Sequence, residues 1–161
     1  MSTITVGMAD MRVTADPESV LVTYALGSCI AVLVHDPVRL VGGMIHYMLP
    51  LSSVTPEKSK EKPAMFADTG VPMLFHQMYA FACKKEDLVV RVAGGANIHD
   101  ENGVFEIGKR NYVVLRKLLW KSGVAIAGES VGGSASRTVR LFVGSGRSTL
   151  RTAESREEVE L

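Results

Sequence analysis

The feature that most narrows the fold is the run Cys29-Ile30-Ala31-Val32-Leu33-Val34, apolar at every position. A strand with one wet face alternates apolar and polar side chains, so an unbroken apolar run of strand length points to a strand covered on both faces. His35-Asp36-Pro37-Val38-Arg39 follows, a turn with proline at its second position, and then a β-rich stretch over residues 41–49. Proline presets the backbone for a reversal, so the two strands are expected to pair as an antiparallel hairpin. With the turn centred between Pro37 and Val38, Cys29 falls directly opposite His46. Opposed residues share a face with Cβ atoms about 4.5–5.5 Å apart, within reach of a thiol–imidazole hydrogen bond. A slip of one residue would send the two side chains to opposite faces.

Short β-rich segments also occupy residues 4–8, 11–14 and 20–25, and later 88–93, 124–127, 138–143 and 147–151. The last two are expected to be a hairpin through Gly144-Ser145-Gly146. A helix capped by Asp68 or Thr69 carries Val71, Leu74, Phe75, Met78 and Ala82 on one stripe, with Pro72 near its first turn. A second helix begins near Gly108, faces Val114, Leu115, Leu118 and Leu119 inward, and stops at Gly123. Residues 50–63 are rich in Ser, Thr, Pro, Glu and Lys and read as a mobile loop, a lid or an insertion. Residues 1–152 read as one domain and 153–161 as a flexible, frayed polar tail. The pattern is an α/β (α+β) domain with a largely antiparallel framework and two main helices.

A chain of 161 residues buries about 69% of its unfolded surface, enough for one core and hardly for two. Its 18 Lys and Arg nearly balance 17 Asp and Glu, and no basic stripe stands out, which argues against nucleic-acid binding by phosphate neutralisation. The longest near-apolar stretch, residues 24–34, is broken by Gly27 and Ser28 and is too short to span a bilayer. The first residues lack the pattern of a secretory signal, so a cytoplasmic location is expected, and there Cys29 and Cys83 would be free thiols.

A thiol with an ordinary pKa of about 8.5 is little ionised at neutral pH, and an adjacent imidazole that takes its proton activates it for covalent acyl transfer. Cys29 as a small buried hydrophobe and His46 as a satisfied core histidine fit the same spacing. Leu26-Gly27-Ser28 adds a glycine turn that can aim backbone N–H groups at an oxyanion. Ser28 lacks the Gly-x-Ser-x-Gly elbow of a serine nucleophile. His35 in a turn, His76 in mid-helix and His99 beside Asp100-Glu101 show no metal-ligand spacing, so neither metal nor cofactor is expected. Gly94-Gly95 and Gly132-Gly133 lack the Lys and Ser/Thr of a phosphate loop and suit turns or close approaches.

One ordered series of residues runs along nearly the whole chain: Thr23 with Leu26-Gly27-Ser28-Cys29, Asp36-Pro37, His46 with Met48-Leu49-Pro50, and Ala67-Asp68. It continues through Gly94-Gly95-Ala96, Ile107-Gly108 with Arg110-Asn111, and Gly132-Gly133 with Arg137-Thr138. In that order and spacing it resembles the CheD proteins, chemoreceptor glutamine deamidases of bacterial and archaeal chemotaxis. The resemblance implies a three-layer α/β/β sandwich with largely antiparallel, mixed sheets, similar to the deamidating cytotoxic necrotizing factors. It implies a protein-glutamine glutaminase that converts receptor glutamines to glutamate without a cofactor. Cys29 would then be the nucleophile, His46 the general base and acid, and Thr23, which spacing would not have found, the residue that orients the imidazole. The implied partners are the cytoplasmic helical bundle of methyl-accepting chemoreceptors and a CheC-type phosphatase. A regulatory binding module for that phosphatase, with little or no hydrolase activity, is the alternative. A cysteine protease or transglutaminase would use the same chemistry on another leaving group or acceptor. The sequence departs from the family pattern at Ala25, where glycine is frequent, at Phe66, where tyrosine is common, and at Ser130 and Ser136.

Overall fold

The computed structural model describes residues 1–97 and 106–161. Along them run β1 (Ser2–Thr5), β2 (Asp10–Thr14), β3 (Ser19–Leu26), β4 (Ile30–Asp36), β5 (Val41–Tyr47), α1 (Pro56–Glu61), α2 (Ala67–Ala80) and β6 (Val89–Gly94). Then come α3 (Ile107–Lys121), β7 (Gly128–Val131), β8 (Arg137–Phe142), β9 (Ser148–Thr152) and β10 (Val159–Glu160). The strands form two five-stranded sheets, ordered β1-β3-β8-β9-β10 and β2-β5-β4-β6-β7. Pairing is antiparallel except for β1 with β3 and β6 with β7.

The apolar run lies at the centre of this arrangement, and every residue of β4 and β5 is buried. Because side chains alternate along a strand, Ile30, Val32 and Val34 face one way and pack with Val71, Leu74 and Met78 of α2 and Leu115 and Leu119 of α3. Ala31 and Leu33 face the other way and pack with Leu21 of β3, Val139 and Leu141 of β8 and Leu150 of β9. The sheet containing β4 is therefore the middle layer of an α/β/β sandwich, covered by helices on one side and by the second sheet on the other. No helix among the described residues is long and apolar enough to cross a membrane.

The hairpin differs from the expected register. Ala31, not Cys29, lies opposite His46, and the ladder closes at Asp36 and Val41. Residues 37–40 form a four-residue loop because the buried Asp36 carboxylate accepts the N–H groups of Val38 (2.8 Å) and Arg39 (3.1 Å). The Asp36 carbonyl accepts Leu40 N–H, and Leu40 takes a left-handed φ of 55°. The slip is two residues, an even number, so Cys29 and His46 keep a common face while losing direct opposition.

Other elements also depart from the sequence pattern. Residues 50–63, expected as a loop, contain a 3₁₀ turn (Ser52–Val54) and α1, none of whose residues is buried, and run into a second 3₁₀ turn at Pro63–Met65. Asp68 does not cap α2; its carboxylate instead accepts Ser52 N–H and Ser52 Oγ–H, each at 2.9 Å, and ties down the start of that segment. Pro72 lies inside α2, and Ala82 falls beyond its end in a left-handed conformation. Val124 and Ile126, expected in a strand, pack against the helix-side core, and the ladder begins only at β7. Apolarity there marks packing under α3, not pairing.

The tail over 153–161, expected to fray, returns to the outer sheet. β10 pairs with β9, Glu158 accepts from Arg140 and Thr149, and Arg147 bonds Glu160. Leu161 N–H donates to the Ser148 carbonyl at 2.9 Å, and its side chain packs on the inter-sheet core. The acidic residues that read as solvated in sequence meet arginines at 140 and 147. Deleting residues 158–161 should therefore lower stability by about 1–2 kcal/mol, through lost apolar burial and weak surface ion pairs, as a shifted denaturant midpoint. A frayed tail would leave the midpoint where it was. Leu33→Ala, which opens the layer between the sheets, should cost about 2–5 kcal/mol, whereas Val38→Ala on the exposed hairpin loop should change stability by no more than about 0.5 kcal/mol.

Candidate active site

Three elements from two layers converge at one end of the inter-sheet space. β5, in the middle sheet, carries His46; β3, in the outer sheet, carries Thr23; the bend entering β4 carries Cys29. Cys29 packs partly buried against the inter-sheet cluster that holds Ala31, Leu33 and Met44. Thr23 and His46 are almost fully buried, at 0% and 2% exposure.

The hydrogen bonds fix the state of the imidazole. Thr23 Oγ1 lies 2.7 Å from the Val6 carbonyl oxygen and 2.8 Å from His46 Nδ1. A carbonyl only accepts, so the single hydroxyl proton goes to Val6, and Oγ1 must accept from Nδ1–H. The imidazole is thereby held in the Nδ1–H tautomer with its Nε2 lone pair free. Nε2 is buried and has no hydrogen-bond partner among the described residues. Burial pushes the His46 pKa down to about 4. The Cys29 thiol is pushed up, again by burial, against a smaller downward pull from its own backbone N–H. Near neutral pH the pair thus rests as neutral thiol and neutral imidazole, rather than as an ion pair.

The turn that presents Cys29 is built from backbone. Gly95 N–H donates to the Cys29 carbonyl and Ala96 N–H to the Gly27 carbonyl, each at 2.9 Å. Gly94 has φ +112°, and a Cβ there would collide with the Cys29 carbonyl oxygen, so this close approach requires glycine. Gly132 N–H donates to the Gly94 carbonyl at 3.0 Å. The buried Arg137 guanidinium bonds the carbonyls of Gly132 (2.8 Å) and Gly94 (3.4 Å) and the Ser130 hydroxyl (3.1 Å). Asn111, on the first turns of α3, donates from Nδ2 to the carbonyls of Ser28 (2.9 Å) and Met48 (3.0 Å). Sequence reasoning gave neither Arg137 nor Asn111 a role, because each acts on backbone atoms remote in sequence and belongs to no spacing pattern.

The other candidates separate from this site. His35, expected in a turn, is the last residue but one of β4, and its Nε2–H donates across the layers to the Val143 carbonyl at 2.7 Å. His76 is an exposed residue of α2 edge-on to Tyr79. His99, with Asp100 and Glu101, lies outside the described residues. Cys83 is buried beyond α2, with its pKa pushed up to about 11 by burial and by its hydrogen bond to the Asp36 carboxylate. Both cysteines are free.

Comparison with known proteins places the chain in a family. A model of the family described as "CheD chemotactic sensory transduction" matches residues 48–152. A protein of Anaeromyxobacter dehalogenans named "Probable chemoreceptor glutamine deamidase CheD 2" is 51% identical over 96% of this chain and 97% of its own length. The protein of Solibacter usitatus named "Probable chemoreceptor glutamine deamidase CheD" is 52% identical over 99% of this chain and 94% of its own. A third, from Syntrophus aciditrophicus, is 48% identical over 91% of this chain and 92% of its own. The family match starts just past His46, but these relatives align along almost the entire chain, and on that footing this chain belongs to the CheD family.

Proposed function

We propose that the protein is a thiol-dependent deamidase of protein glutamine, with Cys29 as nucleophile, His46 as general base and acid, and Thr23 as the residue that orients His46. The observation that carries this reading is the chain Val6 O, Thr23 Oγ1, His46 Nδ1, which leaves a bare Nε2 lone pair on the face it shares with Cys29. A buried nitrogen without a partner lowers stability, and a merely structural histidine has no reason to keep one. The same cost favours an enzyme over a binding module that has lost its chemistry.

In the first half-reaction His46 Nε2 takes the thiol proton as Cys29 Sγ bonds to the carboxamide carbon. The proton then passes to the departing nitrogen, the C–N bond breaks, and ammonia leaves a thioester. In the second half-reaction His46 takes a proton from water as the water oxygen attacks the thioester, then returns it to the sulfur, leaving glutamate and the resting thiol. Glutamine and water are consumed, glutamate and ammonia are released, and no cofactor enters. The substrate class taken from the relatives' names is a chemoreceptor, and its cytoplasmic helical bundle supplies exposed glutamines. The segment over residues 51–65 starts five residues past His46 and carries α1, none of whose residues is buried, which suits contact with a protein surface. A CheC-type phosphatase would engage the protein as a regulatory partner.

Incubation with a purified receptor cytoplasmic fragment should release ammonia and add about one mass unit per modified site, as amide hydrolysis requires. Cys29→Ala should abolish both signals and Cys83→Ala should keep them; hydrolysis of free glutamine with an unmodified receptor would exclude the proposed substrate.

The buried imidazole also sets a pH dependence. Activity needs neutral His46, so kcat/KM should hold through pH 5 and fall as pH drops through about 4. Stability follows from the same shift. The unfolded chain binds a proton on His46 near 6.5 and the folded chain only near 4, so the unfolded state holds more protons between those values. The contribution is complete above pH 6.5 and is lost as pH falls towards 4, up to about 3 kcal/mol. His46→Gln should flatten that part of a denaturation profile; an unchanged profile would place the imidazole in solvent.

A further inference from the structure

We infer that Asn111 is a positioning residue that fixes Cys29 relative to His46. The inference rests on the thiol-deamidase reading for its consequence in turnover, and on geometry alone for its consequence in thiol reactivity. Asn111 is fully buried at the start of α3. Its Nδ2 spends one proton on the carbonyl of Ser28, immediately before Cys29, and the other on the carbonyl of Met48, two residues past His46. One amide thus bridges the two chain segments that carry the reacting groups, at the point where the hairpin register has left them without a direct opposition of their own. The Asn111 backbone carbonyl accepts from Tyr47 Oη–H at 2.7 Å, so the residue next to His46 is held as well.

The amide orientation is forced, because the opposite flip would set Oδ1 against two carbonyl oxygens. In the orientation that remains, Oδ1 is buried with no partner among the described residues. A side chain that supplies two donors and leaves its acceptor unpaired lowers stability relative to one fully paired, so the two donated bonds are what the position provides. Without them the bend at residues 27–29 keeps its backbone bonds from Gly95 and Ala96 but loses its side-chain tie to the segment after β5, and the spacing between sulfur and Nε2 loosens. Misplacement of a reacting atom by about 1 Å is enough for roughly 100-fold in rate.

The test is a mutant cycle read in two ways. Asn111→Leu and Asn111→Asp keep approximate size and remove the donors; each is combined with His46→Gln. Alkylation of Cys29 by iodoacetamide is followed by intact mass across pH, and kcat and KM are measured on the receptor fragment. In the wild type, His46→Gln should slow alkylation and change its pH profile. In either Asn111 background it should add nothing, and kcat should already be about 100-fold down with KM little changed. Leu115→Ala, one turn further along α3, should lower the melting temperature without altering the profile. Additive losses, or Asn111 variants with wild-type alkylation and kcat, would overturn the inference, as would failure of both variants to fold, which would make Asn111 a folding residue. A wild type that leaves the receptor unmodified yet shows the alkylation coupling would sink the deamidase reading and leave the positioning role standing.

Discussion

Covering β4 and β5 on both faces is the constraint on which the rest of the molecule depends. A sheet buried from both sides has no water to satisfy polar side chains, so each must find a partner within the protein. His35 does so through the Val143 carbonyl, Asp36 through two backbone amides and Arg39, and His46 through Thr23 and Val6. Among the described residues, the buried side-chain atoms left without a partner are His46 Nε2 and Asn111 Oδ1. His46 neighbours the tyrosine whose hydroxyl bonds the Asn111 carbonyl, so both exceptions fall at the end of the sheet where Cys29 enters β4. Among the described residues the other buried side-chain polar atoms have partners, so the two omissions fall together at the end of the fold where the proposed site lies.

The same burial chooses the form of the chemistry. An ionised thiolate beside an imidazolium would have to be held in a poorly solvating layer, and desolvation disfavours both charged forms. The neutral pair avoids that cost at rest, and in the mechanism proposed above charge would develop only as the sulfur attacks. That mechanism asks for fixed direction, and the imidazole meets it with a tautomer set by the Thr23 hydroxyl, whose proton goes to the Val6 carbonyl. Because Thr23 belongs to the outer sheet and His46 to the middle one, the hydrogen bond between them makes the geometry of the proposed site a property of how the two sheets pack.

The sequence disclosed those features whose cause is local. The double coverage of β4 was legible in an unbroken apolar run, and the stripes of α2 and α3 in a 3.6-residue period. The shared face of Cys29 and His46 was legible because parity survives any even slip. The register itself was hidden, since the loop length depends on the Asp36 side chain gathering the amides of Val38 and Arg39. Thr23 was hidden from spacing for a different reason: its partner lies on another sheet, and a strand threonine with a buried hydroxyl looks like any other in one dimension. The return of β10 was hidden because Glu158 and Glu160 find Arg140 and Arg147 only after the outer sheet has formed.

Two ties from the outer sheet reach the middle one at the same end, and their division of labour explains how the turn around Cys29 is held without side chains of its own. Thr23 on β3 grips His46. Arg137 on β8, opposite Leu26 in the ladder, grips the carbonyls of Gly94 and Gly132, and Gly94 in turn packs against the Cys29 carbonyl. Burial lowers the Arg137 pKa, yet the guanidinium keeps its charge at any physiological pH and its donors match a set of fixed backbone acceptors. Between the two ties β3 is irregular: the ladder shifts between Thr23 and Leu26, and Ala25 takes a left-handed φ of 54° where the family often has glycine. That bulge lets one strand serve both ties, with Thr23 facing the imidazole and Leu26 entering the core beside Arg137. Because the turn is held through main-chain carbonyls, the left-handed backbone of Ala25 is strained locally without touching either tie.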